Sequence, residues 1–131
     1  MIGIDTNVLV RYIAQDDPVQ SRLATQLIET DCSAETPGYI SLVVLVELVW
    51  VSESCYDATR SDIVQILQRL LRIRKLVVQQ SELVWKAIRR FEESNADFPD
   101  CLIEHLAFAA GCSRVMTFDQ AAAKAGMSLL K

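Results

Sequence analysis

Four carboxylates in this chain occupy positions that invite a chemical explanation. Asp5 follows the apolar Ile2 and Ile4, and Asp119 follows Val115, Met116 and Phe118, so each closes a short β-like run. Glu47 interrupts Leu42–Val51, a segment apolar on nearly every helical face. Asp100 heads the stretch Cys101-Leu102-Ile103, three residues after Asp97. Ordinary folding offers a role for each: helix capping or first-turn placement for Asp5, Asp100 and Asp119, and an ion pair or a solvent-facing slot for Glu47. Asp97 is an alternative cap for the Asp100 helix, which would free Asp100, or else an outer member of the acidic group. A helix that is apolar all round is expected to be buried, and a buried, unpaired carboxylate is either costly or forced neutral. Glu47 therefore requires a compensating group. Carboxylates facing one point cannot all ionise cheaply without a cation, and hard oxygen donors select Mg²⁺ or Mn²⁺ over zinc. Such a centre can make hydroxide from bound water and stabilise the leaving oxygen of a phosphodiester. The chemistry is metal-assisted phosphodiester hydrolysis, by a nuclease or another phosphohydrolase.

The elements that must position these residues alternate between two periodicities. Strands are expected at Met1–Asp5, Tyr39–Ser41, Leu76–Gln79 and Arg114–Thr117, with an edge strand at Met127–Leu130. Helices are expected from Thr6 to Ala14 and from Asp17-Pro18 to about Thr30, the aspartate capping and the proline filling the first turn. Further helices follow at Leu42–Ser54, from a capping-box-like Thr59…Asp62, from a Ser81 cap, from Asp97 to Gly111, and at Asp119–Ala125 before Gly126. Strands alternating with helices imply an α/β fold with a mostly parallel central sheet of four to five strands and helices on both faces. Ligands of such sheets gather beyond the carboxyl ends of the strands, which is where Asp5 and Asp119 fall.

The 131 residues fit one domain, 1–131, and 51% apolar with 23% charged residues is enough for an ordinary core. A net charge of −4 argues against a nucleic-acid binder that grips through a broad basic surface. It suits an acidic cation pocket or a basic partner. The four cysteines, at 32, 55, 101 and 112, form no Cys-x-x-Cys pair and have a single histidine to assist them, so reduced thiols are expected rather than zinc or disulfides. No apolar stretch approaches the roughly 20 residues needed to span a bilayer, and the N-terminus carries no basic leader. A cytoplasmic location is expected.

The motifs themselves resemble a known family. Ile4-Asp5-Thr6-Asn7-Val8-Leu9-Val10 looks like the opening of PIN domains, especially of VapC-type toxins. Glu47 within Ser41–Leu48, Asp97-Phe98-Pro99-Asp100 at a helix head, and Thr117-Phe118-Asp119 resemble the family's remaining acidic motifs in order and spacing. Pro99 departs from the small residue often found there, and a first-turn proline is harmless to a helix. The resemblance implies that Asp5, Glu47, Asp100 and Asp119 bind Mg²⁺ or Mn²⁺ and orient water for attack on an RNA phosphate. It implies supporting roles for Thr6 and Asn7 beside the site, with Asn7 steadying the carboxylates, and for Thr117 as a partner of Asp119 or of bound water. A homodimer and a small antitoxin partner follow from the same resemblance.

Other residues draw plainer readings. His105 is expected to be structural, and Glu104, one turn after Asp100, to be a solvated surface group or an outer neighbour of the metal. The basic clusters at Arg69, Arg72, Arg74, Lys75 and at Lys86, Arg89, Arg90 read as solvated helix faces or phosphate-positioning groups. Arg11 lies nearer the rim and is the better candidate for contact with RNA. Trp50, Trp85 and Tyr56 read as core or interface residues. The four glycines are scattered, so there is no phosphate-cradling loop. Three alternatives to a toxin remain: an RNA-processing nuclease of the same fold without an antitoxin, a degenerate and inactive PIN domain (though all four acids are present), and a non-catalytic cation-binding module such as a receiver domain. The receiver needs an acidic pair after the first strand and a central phosphoacceptor aspartate. Here Thr6-Asn7 and Gln79-Gln80 stand at those places.

Overall fold

A computed structural model describes residues 1–131 as two compact units, Met1–Ser81 and Glu82–Lys131. The first unit holds β1 (Ile2–Gly3), α1 (Thr6–Ala14), α2 (Pro18–Gln26), β2 (Gly38–Ile40), α3 (Leu42–Cys55), α4 (Arg60–Arg72) and β3 (Leu76–Val78). Its strands pair in the order β1-β2-β3, all parallel, with Ile2 opposite Gly38 and Gly38 opposite Leu76. A side chain at Gly38 has no room, since a Cβ would lie 2.6 Å from Ile4 Cδ1 and 2.8 Å from Leu76 Cδ2. A larger residue at the start of the central strand would have to displace those two side chains.

Local chemistry sets the helix boundaries. Asp17 Oδ1 accepts from the amides of Val19 and Gln20 at 3.1 and 2.9 Å, and Pro18 opens α2 behind it. The helix does not stop at Gln26 but widens into a π-helical turn, Leu27–Asp31, where the Cys32 amide bonds back to the Leu27 carbonyl. Thr59 and Asp62 form the reciprocal capping box of α4. Leu9, Ile28, Ile40, Leu45, Leu48, Ile63, Leu67 and Leu70 fill the core of this unit.

The second unit comprises α5 (Ser81–Glu93, starting at the boundary), α6 (Phe98–Ala109), β4 (Met116–Thr117), α7 (Gln120–Ala125) and β5 (Ser128–Leu129). Ser81 is the first helical residue of α5 rather than a cap outside it, and Gln80 before it turns the chain with a φ of 46°. Val84, Ile88, Phe91, Phe98 and Leu102 form the core, with Phe91 and Phe98 edge to face at 6.2 Å. β4 and β5 pair in parallel, Met116 opposite Ser128.

The α/β class and the parallel pairing are as expected. The strand ladder is not the single sheet of four to five strands expected from sequence: three strands pair in the first unit and two in the second. The physical reason is strand length. β1, β4 and β5 are two residues each, too short for an extended shared ladder. No helix is long and apolar enough to cross a membrane.

Candidate active site

The first unit brings Asp5, Thr6 and Glu47 into one hydrogen-bonded arrangement. Asp5 leaves β1 in extended conformation and caps α1, its Oδ1 accepting from the Thr6 amide at 2.7 Å. That capping uses one carboxylate oxygen and leaves Oδ2 without a partner in the chain. Thr6 itself is buried, 8% exposed, and its hydroxyl donates to Glu47 Oε1 at 2.7 Å. Forty-one residues separate donor and acceptor, so packing of α1 on α3 makes this bond.

Glu47 corrects an expectation. Its helix is apolar in sequence all round, and the residue was expected to be buried. It is exposed, with Val43 and Trp50 on the same helical stripe at 71% and 65% exposure. α3 buries Leu45, Leu48, Val49 and Ser52 and leaves that stripe uncovered. Hydropathy cannot rank the faces of a helix that is apolar on all of them. The group that steadies Glu47 is Thr6, whereas the Asn7 side chain is exposed and makes no hydrogen bond to it.

The second unit gathers Asp97, Asp100 and Asp119. Asp97 is the cap of α6, its Oδ1 accepting from the Asp100 amide at 3.0 Å, and Phe98-Pro99 supplies the first turn. Asp100 is thereby freed from capping its own helix. Burial, then the charge and hydrogen bond of Asp97, then the charge of Asp119 push the Asp100 carboxyl up to about 6. Asp119 caps the short α7, Oδ1 accepting from the Ala122 amide at 2.8 Å. Thr117 Oγ1 accepts from the Asp119 amide at 3.0 Å and pins the backbone there. Within neither unit do three His, Cys, Asp or Glu side chains close into a ready-made metal cage. Asp5 and Glu47 in the first unit, and Asp97, Asp100 and Asp119 in the second, are the carboxylates each unit offers. The donor set is all carboxylate, which fits a hard divalent cation that keeps several waters.

Arg11, expected to meet RNA, is engaged elsewhere. Its guanidinium donates to Asp16 at 3.0 Å and to Gln20 at 2.8 Å. Asp16 also accepts from the Tyr56 hydroxyl at 2.7 Å, and that bond, followed by the Arg11 contact, holds its carboxyl below the usual range. Arg11 therefore ties α1 to the α2 entrance before it can serve a phosphate. His105 is structural as expected, its Nδ1 2.8 Å from the Cys101 carbonyl.

Two residues escaped the sequence reading. Glu104 was expected to be solvated, but it is 2% exposed and paired with Arg90 at 3.1 Å. The pair lies over Gly126, where any Cβ would collide with Arg90 Nη1 and Glu104 Oε2. The one available signal was the position of Glu104 three residues after buried Cys101, and its partner fourteen residues earlier left none. Phe118 stood in sequence only as the middle of an acidic motif. At 78% exposed it is the most exposed large apolar side chain of the chain.

Comparison with known proteins gives two matches across nearly the whole chain. The sequence model of the PIN domain matches residues 2–126. A VapC ribonuclease of Aquifex aeolicus (strain VF5) is 24% identical over 123 residues, covering 94% of this chain and 90% of that protein.

Proposed function

The chain belongs to the PIN domain family, and from that membership we propose that it is a divalent-metal-dependent endoribonuclease, the toxin of a toxin–antitoxin pair. The observation that carries the reading is the Asp100 carboxyl, pushed up to about 6 first by burial and then by the neighbouring Asp97 and Asp119, for which a cation is the natural counter-charge. The relative in Aquifex aeolicus named as a VapC ribonuclease supports the substrate class.

In this reading Asp5, Glu47, Asp100 and Asp119 are the residues that would hold Mg²⁺ or Mn²⁺. A divalent cation held by these carboxylates would supply water activation and charge neutralisation at the phosphate. The chain's own contribution is orientation. Asp5 and Asp119 each spend one oxygen on a helix cap, which fixes the direction of the other. Thr6 fixes the Glu47 rotamer by its hydroxyl hydrogen bond, and Thr117 fixes the turn into Asp119. Asp97 takes the α6 cap, so the Asp100 carboxylate is not spent on capping its own helix. Carboxylates held this way need little rearrangement when the cation and phosphate arrive.

A small antitoxin and a second copy of the chain are the proposed protein partners. Support comes from the uncovered Val43 and Trp50 on α3 and the exposed Val19 and Leu23 on α2. Exposed apolar residues grouped on helices mark protein contact surfaces.

The test is cleavage of a mixed RNA panel by purified protein free of any partner, with Mg²⁺ or Mn²⁺, with EDTA, and with Asp5→Asn. Metal-dependent cutting that the variant loses is the expected result. Cutting that survives both EDTA and Asp5→Asn would refute the site, and no cutting by folded wild type across the panel would refute the nuclease.

A further inference from the structure

An exposed phenylalanine needs a reason, and Phe118 is placed where a substrate supplies one. It lies between Thr117 and Asp119, whose Cα atoms are about 3.8 Å away on either side. The backbone there is held three times: by the β4–β5 pairing at Thr117, by Thr117 Oγ1 on the Asp119 amide, and by the Asp119 cap on α7. The ring therefore stands on a fixed base and remains 78% exposed. Phe118 itself forms the bend between the end of β4 and the Asp119 cap, directly beside the Asp119 carboxylate in the chain.

A non-ionic grip on the substrate suits a chain without a broad basic surface. Its net charge is −4, it has no glycine-rich phosphate loop, and Arg11 is already paired with Asp16. Stacking on an aromatic ring is indifferent to net charge and tolerant of sequence, because every base has a π-face. We propose that Phe118 is a stacking platform for an unpaired nucleobase of the RNA substrate, that of a nucleotide adjoining the scissile phosphate. The inference rests on the nuclease reading above and adds the substrate feature that this surface selects: a single-stranded base next to the cut.

The experiment compares wild type with Phe118→Trp, Phe118→Leu and Phe118→Ala on one RNA that wild type cleaves, measuring KM and kcat separately. Binding is followed in parallel in the Asp5→Asn background, using the same RNA with 2-aminopurine beside the cleavage site. Stacking predicts that Phe118→Ala weakens KM and binding about 5- to 150-fold, that Phe118→Trp retains them, and that Phe118→Leu falls with alanine despite its apolar bulk. The fluorescence quench on binding is expected with phenylalanine and tryptophan only, and the loss is expected to persist at high salt, where phosphate contacts weaken. Leucine behaving like phenylalanine, or alanine leaving KM and the quench unchanged, overturns the proposal. A Phe118→Ala variant that keeps RNA affinity but changes oligomeric state or partner binding overturns it in favour of a protein interface. Failure of the wild type to cut any RNA with metal present overturns the nuclease reading itself, and is distinguished because it appears before any Phe118 variant is compared.

Discussion

Asp97→Asn isolates the electrostatics of the candidate site with little structural disturbance. Asparagine caps helices about as well as aspartate, so α6 keeps its Asp100 amide bond while one negative charge disappears. In wild type the Asp100 carboxyl stands near 6, with burial as the leading cause and Asp97 the next. A group titrating at 6 is about 10% ionised at pH 5 and about 90% at pH 7. Cleavage at subsaturating Mn²⁺ is therefore expected to fall roughly tenfold per pH unit below 6, because the proton competes with the cation for Asp100. In Asp97→Asn burial and Asp119 still act, so the acid midpoint moves toward 3.8 without reaching it, by on the order of one unit. The stability consequence has a definite sign. The folded state binds this proton more tightly than the unfolded chain, so metal-free protein gains stability from the group below about pH 4 and loses it as pH rises through 6. Thermal melts of metal-free protein across that window give the size of the effect, and Asp97→Asn flattens it. Saturating Mn²⁺ raises the melting temperature more at pH 7 than at pH 5. A cleavage midpoint near 4 in wild type, or one that Asp97→Asn leaves in place, would refute the assignment of Asp97 and Asp100 to one electrostatic unit.

Arg90→Leu strands Glu104, which is 2% exposed, without its cation. Water reaches Arg90, 35% exposed, so the low end of the range for broken buried pairs applies, about 2–3 kcal/mol. With unfolding entropy of about 2.1 cal/mol/K per residue, this lowers Tm by roughly 7–11 °C, and the double substitution Arg90→Met with Glu104→Met recovers most of it. A drop under about 3 °C for the single variant would show that the pair is not holding α5 to α6. Thr6→Val removes the donor to Glu47 while keeping shape. Stability should fall by no more than about 1 kcal/mol, since water can replace the hydroxyl at an exposed carboxylate. Apparent Mn²⁺ affinity in the cleavage assay is expected to weaken severalfold, and unchanged affinity would remove Thr6 from the site.

Much of the architecture was legible before any coordinates. Asp17-Pro18, Thr59…Asp62 and Asp97 announce helix starts because capping depends on residues one turn apart, whereas Ser41, read as a strand end, proves to be the cap of α3. The structure places each of them as a cap or first turn. The parallel pairing followed from strand–helix alternation. Partition of the strands into three and two did not, because ladder membership depends on where short strands come to rest in space. The same division holds at the site. Asp5, Asp97, Asp100 and Asp119 could be named from sequence because each sits at an element boundary, and boundaries are local. Glu47 could be named, but its burial could not, since α3 is apolar on every side and the choice of face belongs to α1 and the other elements packed against it.

What the sequence determined by itself is therefore the list of carboxylates, the alternation that carries them and the caps that aim them, all set by interactions within about one helical turn. Tertiary structure alone decided that Thr6 rather than Asn7 serves Glu47, that Glu104 is sunk beside Arg90 over Gly126, and that Phe118 is left in solvent. Each depends on which face meets a neighbour distant in the chain, and a hydrogen bond across forty-one residues or an ion pair across fourteen leaves no periodic trace.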